Sequence, residues 1–159
     1  LWHIMKIYTQ FGHTDFVICL GYRGYMIKEY FANYVLHSSD VTIDAATGEV
    51  IFHQKASEPW RVTLVDTGAD TLTGGRVKRV KDYLDPGETF FMTYGDGVAD
   101  VDINALLAFH KKHGKEATLT RVVPPGCYAD LEPPAVTASL FLEKSPAPNA
   151  WTPGASLAL

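Results

Sequence analysis

The sequence has 159 residues, 47% of them hydrophobic and 20% charged, with a formal net charge of −4. That length suits one ordinary domain, and that balance is globular, which excludes a disordered chain. No Lys/Arg block gives nucleic acid an electrostatic footprint, and no apolar run approaches the length of a membrane span.

The elements alternate. Leu1, Ile4, Met5 and Tyr8 recur at helical spacing with no capping residue before them, so the sequence is expected to start inside a helix, as a truncated chain does. Phe16 to Leu20 is a continuous apolar run, the mark of a strand covered on both faces. After the turn at Gly21 to Gly24, the spacing of Met26, Ile27, Tyr30, Phe31, Tyr34 and Val35 predicts one helix. Val41 to Ile43 and Val50 to Phe52 flank Thr47-Gly48 and predict a hairpin. Val62 to Val65 reads as a strand, followed by a helix that carries Val77, Val80 and Leu84 after Gly74-Gly75. Thr89 to Tyr94 reads as a strand running into Gly95-Asp96-Gly97. Asp102 can cap the helix of Ile103, Leu106, Leu107 and Phe109, which ends near Gly114, and Ala117 to Val123 follows as a strand. Alternating strands and helices predict an α/β fold with a mostly parallel sheet.

Composition shifts near Pro124-Pro125. Residues 126–159 hold five of the nine prolines and four of the 32 charged residues, so helices and central strands are expected to be interrupted there. The two cysteines, Cys19 and Cys127, have no metal-ligand company, and the simplest setting for them is a reduced, cytoplasmic one.

Two loops could carry chemistry. In Thr93-Tyr-Gly-Asp-Gly97 an apolar strand ends in a carboxylate between two glycines. Ligands of open α/β sheets bind beyond the carboxyl ends of strands, and one such carboxylate can share Mg²⁺ with phosphate oxygens. A plain turn with a locally bonded Asp is an equal reading. The second loop, Asp66 to Arg76, joins a strand to a helix and is rich in Thr and Gly. Backbone N–H groups at a helix start can hold an anion, and Arg76 adds a forked donor, yet an ordinary capped loop accounts for the pattern better. His110 and His113 lie three apart near a helix end and read as solvated cations that suit the dipole. Trp2 and Trp60 are read as packing residues.

The same segments carry a family resemblance. Leu1-Trp-His-Ile-Met-Lys6, Gly21-Tyr-Arg-Gly-Tyr25, Ile27 to Tyr34, Ser39-Asp-Val-Thr42, Glu58-Pro-Trp60, Val62 to Gly68, Thr73-Gly-Gly-Arg76, Thr93 to Asp100, Phe109 to Lys115, Ala117 to Thr120 and Pro124-Pro-Gly126 resemble glucose-1-phosphate cytidylyltransferases. These are a branch of the sugar-phosphate nucleotidyltransferase superfamily. The resemblance is dense over residues 1–126 and thin afterwards. It implies a Rossmann-like domain, incomplete here, with 1–126 as its core and 127–159 as a divergent sugar-side segment of the same domain. It implies transfer chemistry that joins CTP and glucose 1-phosphate into CDP-glucose and pyrophosphate with Mg²⁺, for polysaccharide biosynthesis. By motif, Asp96 is then the metal ligand, Gly95 lies against a phosphate, Thr71 and Arg76 lie at the nucleotide side, and Glu143 and Lys144 at the sugar. No residue is assigned a covalent catalytic role. The full-length form is expected to be a homo-oligomer without nucleic-acid or membrane partners.

The chain also departs from the family pattern. A glycine-rich loop with a Lys-Pro-Lys-Pro segment belongs before Leu1, and a second metal carboxylate after Leu159. Cys127-Tyr128-Ala129 stands where the family has Arg, an aromatic and Gly. Ser145 replaces the proline of Glu-Lys-Pro, and Pro153 replaces the sugar-contacting Asn. The isolated chain is therefore expected to lack turnover. A non-catalytic cytidine-nucleotide-binding domain and a nucleotidyltransferase for another NTP are the alternatives.

Overall fold

In a computed structural model, residues 1–53, 57–122, 130–131, 141–142 and 152–158 are described. They fall into two compact units. The first comprises Leu1–His13 with Gly87–Leu159, and the second comprises Thr14–Pro86.

The second unit is built on a parallel strand pair. β1 (Asp15–Leu20) lies beside β4 (Arg61–Asp66) in continuous register, from Asp15↔Arg61 to Leu20↔Asp66. Parallel strands need a long connection. Here it carries α2 (Gly24–Ala32), α3 (Tyr34–Ser38) and the antiparallel hairpin β2 (Val41–Ile43) with β3 (Val50–Phe52). Trp60 packs edge-on to Phe16 at 6.1 Å and near Tyr34 at 5.9 Å, the packing role expected of it. Arg61 and Asp15 form an ion pair at 3.0 Å at the strand starts. Both side chains are exposed, so the pair contributes little.

Two helices of this unit differ from the spacing. The helix expected through Val35 stops at Asn33, whose side chain donates to the Glu29 carbonyl at 2.9 Å. The Asn33 N–H takes the same carbonyl at 3.0 Å, and α2 closes there as the backbone leaves helical geometry at φ −103° and ψ 15°. α4 (Thr73–Arg79) contains Gly74 and Gly75 instead of following them, and it ends before Val80. Lys81–Tyr83 continues as a 3₁₀ turn, and Val80 is buried. A Cβ on Gly75 would stand 2.8 Å from Thr71 Cγ2, so the loop is drawn tight over the helix start.

The first unit contains α1 (Trp2–Gln10), β5 (Phe91–Met92), α5 (Ile103–His113), β6 (Thr118–Val122), β7 (Asp130–Leu131), β8 (Phe141–Leu142) and β9 (Thr152–Ala158). Ile4, Met5 and Tyr8 are the buried stripe of α1, as their period requires. Ile103, Leu106 and His110 are that of α5. Asp102 caps α5 by accepting from the Ala105 N–H at 2.9 Å, and Gly114 ends it at φ +63°. β9 pairs antiparallel with both β5 and β6. The β5 strand is shorter than the apolar run that predicts it, because its ladder is only Phe91↔Ala158 and Met92↔Leu157. Pro153 lies one residue inside β9, opposite Arg121 and beside a register shift in β6. A strand start next to an irregular ladder is where Pro is tolerated. β7 and β8 form a separate antiparallel pair.

The α/β class expected from the sequence holds. The sheet expected to be mostly parallel is parallel, among the described strands, in the β1–β4 pair, and the other described pairings are antiparallel.

Candidate functional site

In the second unit, the ends of β1 and β4 are tied together by one loop. Past the last ladder pair, the Thr67 N–H donates to the Leu20 carbonyl at 2.9 Å. The Thr67 hydroxyl donates to the same oxygen at 2.8 Å, and the residue is fully buried. Asp66 accepts from the Gly68 N–H at 2.9 Å, closing a turn in which Gly68 holds φ +86°. Only glycine adopts that value freely.

Two arginines of α4 reach back into this turn. Arg76 Nη1 donates to the Leu20 carbonyl at 3.0 Å and to Thr67 Oγ1 at 2.6 Å. Its Nη2 donates to the Ala69 carbonyl at 3.1 Å. Arg79 Nη1 donates to the Thr67 carbonyl and to Thr71 Oγ1, the latter at 2.7 Å. Each guanidinium needs a missing side chain. A Cβ on Gly21 would stand 2.7 Å from Arg76 Nη2, and one on Gly68 would stand 2.7 Å from Arg79 Nη1 and 2.9 Å from Thr71 Oγ1. The family resemblance singled out Thr71 and Arg76, which the structure brings together at one loop, but neither it nor the pattern marked Arg79, Thr67, Gly21 or Gly68 as site residues. The readable signal was two arginines three apart, which share a helix face, after a strand-to-helix loop with a glycine in it.

Three of the five guanidinium N–H groups of Arg76 are held by protein oxygens. The remaining two are without a partner among the described residues. The Thr71 hydroxyl accepts from Arg79 and keeps its own proton to donate. The loop therefore presents hydrogen-bond donors on a frame fixed by the sheet. Burial pushes the nearby Cys19 thiol above its usual range, and the Arg76 charge partly offsets this. That suits a packing thiol, not a reactive one.

In the first unit, Thr93 to Gly97 follows β5. Gly95 and Asp96 form an exposed turn. A Cβ on Gly95 would find nothing closer than Leu1 Cδ1 at 4.0 Å, so no protein neighbour requires a glycine there. Thr93 and Gly97 at the two ends of this segment line a small hollow with Ile4, Ile7, Tyr8, Ala99 and Ile103. The described residues contain no group of three His, Cys, Asp or Glu that could hold a metal by itself. A lone exposed carboxylate is compatible with Mg²⁺ only where phosphate oxygens complete the shell.

Where the sequence pattern predicts a solvated helix end, His110 is buried and His113 is half-buried. The Lys115 N–H donates to His113 Nδ1 at 3.0 Å, so in the neutral ring Nε2 carries the proton. That Nε2 donates to Thr118 Oγ1 at 2.6 Å, and the same hydroxyl bonds His110 Nδ1 at 2.9 Å. His110 and Thr118 are buried. The chain of bonds joins α5 to β6, a packing role that helical spacing cannot show. Glu143, Lys144, Cys127, Tyr128, Ala129 and Ser145 lie outside the described residues.

No protein-family model matches the chain. Curated proteins do match it. It is 27% identical over 128 residues to the mannose-1-phosphate guanylyltransferase catalytic subunit beta of Dictyostelium discoideum, covering 79% of this chain and 30% of that protein. By sequence, then, this is a nucleotidyltransferase homologue, a relation that implies a Rossmann-like fold. More particularly, it is homologous to glucose-1-phosphate cytidylyltransferases. It is 57% identical over 144 residues to those of Salmonella typhi and Salmonella typhimurium strain LT2, covering 91% of this chain. The chain spans about half, 56%, of the length of these relatives.

Proposed function

We propose that this chain contributes the nucleotide-side loop and a metal carboxylate to an enzyme that makes CDP-glucose from CTP and glucose 1-phosphate. The observation that carries the reading is the Gly68–Arg76 loop. It lies in the stretch that resembles the cytidylyltransferases, and it offers preset donors at the carboxyl ends of parallel strands, where such folds bind nucleotides. Thr71 and Arg76 are assigned to the nucleotide, Gly95 to a phosphate, and Glu143 and Lys144, in the sugar-side segment 127–159, to the sugar. The whole enzyme is read as cytoplasmic, homo-oligomeric and serving polysaccharide biosynthesis. No helix among the described residues is long and apolar enough to cross a membrane.

The reaction needs no protein nucleophile. An oxygen of the sugar phosphate attacks the α-phosphorus of CTP. A new P–O bond forms there as the α–β bridging P–O bond breaks, and pyrophosphate leaves with the electron pair. When bound, Mg²⁺ supplies charge neutralisation on the phosphate oxygens. Asp96 would hold it, and its exposed, glycine-flanked place leaves room for that shared shell. Arg76 orients the nucleotide through its two remaining N–H groups, and Thr71 does so through its hydroxyl proton. With Arg76 held by the Leu20 and Ala69 carbonyls and Thr71 held by Arg79, these donors lose little freedom on binding.

Calorimetric titration of CTP with Mg²⁺ tests this. The parent chain should bind CTP saturably and in preference to UTP and GTP. Thr71→Val and Arg76→Ala should weaken binding by roughly tenfold or more. Preference for another nucleotide would redirect the assignment, and no CTP binding by the parent would overturn it. Binding without formation of CDP-glucose would leave the chain as a nucleotide-binding part.

A further inference from the structure

The loop after β4 is fastened twice, and the second fastening belongs to a residue that no ligand-binding motif marks. Arg79 Nη1 spends both of its N–H groups on the loop, one on the Thr67 carbonyl and one on the Thr71 hydroxyl. These acceptors lie at the two ends of a segment that includes exposed Ala69 and Asp70. Past Thr67, residues 68–71 are tied to other groups by three hydrogen bonds among the described residues: the Gly68 N–H donates to Asp66, Arg76 donates to the Ala69 carbonyl, and Arg79 donates to the Thr71 hydroxyl. Gly68 makes the last one possible, since its backbone is left-handed and its missing Cβ leaves the space that Arg79 Nη1 fills.

We infer that Arg79 is a positioning residue for the nucleotide reading given above. It reaches no ligand itself. It sets where the Thr71 hydroxyl stands, and it occupies one acceptor lone pair of that oxygen so that the proton points outward as a donor. The two arginines thus divide the work. Arg76 fixes the strand ends and faces the ligand, while Arg79 fixes the loop that carries Thr71. The inference rests on the proposed nucleotide site for its purpose and on the loop geometry alone for its structure.

The experiment separates the two. Backbone ¹⁵N relaxation is measured on the parent chain, Arg79→Gln and Arg79→Lys. The parent should show rigid-backbone order parameters, near ~0.85, across residues 68–72, and Arg79→Gln should lower them below ~0.6. Arg79→Lys should restore most of the order, because an ammonium has several donors for the same two oxygens. Order unchanged in Arg79→Gln overturns the inference, whether or not any nucleotide binds. The three proteins are then titrated with CTP and with cytidine. Arg79→Gln should weaken both by roughly tenfold, with recovery in Arg79→Lys. A loosened loop with unchanged affinity overturns the ligand-positioning role. If the parent orders its loop yet binds neither compound, the nucleotide reading fails while the loop measurement still decides the role of Arg79 in the fold.

Discussion

The glycine-bearing loops that follow β4 and β5 are built in opposite ways. After β4, the space beside Gly68 is already filled by Arg79, as the space beside Gly21 is filled by Arg76. After β5, the space beside Gly95 is open, and the Asp96 carboxylate beyond it is exposed. The first loop uses glycine so that the protein can bond to itself. The second has a glycine that its own neighbours do not need. A glycine required by internal packing predicts stability loss on substitution, and one that nothing internal requires points outward, to a ligand or to a turn. The difference teaches which of the two loops is preset by its own bonds and which is left open.

Gly68→Ala is the strongest way to break this contrast. It combines a left-handed backbone with a clash against Arg79, and it should cost about 3 kcal/mol in urea denaturation. A cost near zero would mean that the loop is not locked. Thr118→Val gives the next largest effect, in the first unit. It strips two histidines of a shared partner, one of them buried, and should cost about 2 kcal/mol by the same assay. It tests whether that unit has a lock of its own, away from its open loop.

A smaller effect is expected from pH. Burial holds the His13 pKa below its usual 6.5, and its Nε2 is buried without a hydrogen-bond partner among the described residues, beside Phe91 at 4.9 Å. The unfolded chain then binds the proton more tightly than the folded one. The stabilising contribution is full above pH 6.5 and is lost as pH falls through the lower folded value. Replacing His13 with Phe should flatten this part of the stability–pH profile. Asp96→Asn should change stability least, by no more than about 0.5 kcal/mol, while removing the Mg²⁺-dependent part of CTP binding. A destabilisation as large as that of Gly68→Ala would show that the open loop is locked after all.

Much of the fold was legible because local chemistry decides it. The stripe of Ile4, Met5 and Tyr8, the Asp102 cap, the Gly114 stop and the run from Phe16 to Leu20 each specify an element without reference to distant residues. The candidate site was legible in part. Thr71 and Arg76 stood out by residue type and by resemblance, and both meet in one loop. Arg79 did not, because a lysine-and-arginine helix end looks the same whether its side chains face water or a carbonyl. The helix break at Asn33 and the late start expected for α4 were misread for a related reason. Periodicity reports which face is apolar, but it does not report which carbonyl an Asn takes or how tightly a loop is pulled.

By itself, then, the sequence determined the alternation of strands and helices, the ends of α5, the hairpin and the relation to cytidylyltransferases, since all of these are written in short-range patterns. Only the tertiary structure decided that Leu20 and Asp66 stand side by side, that two glycines admit two guanidinium groups, and that Thr118 joins two histidines. Those contacts depend on where the backbone brings residues far apart in the chain, and a hydrogen bond forms only when donor and acceptor arrive within about 3 Å of each other.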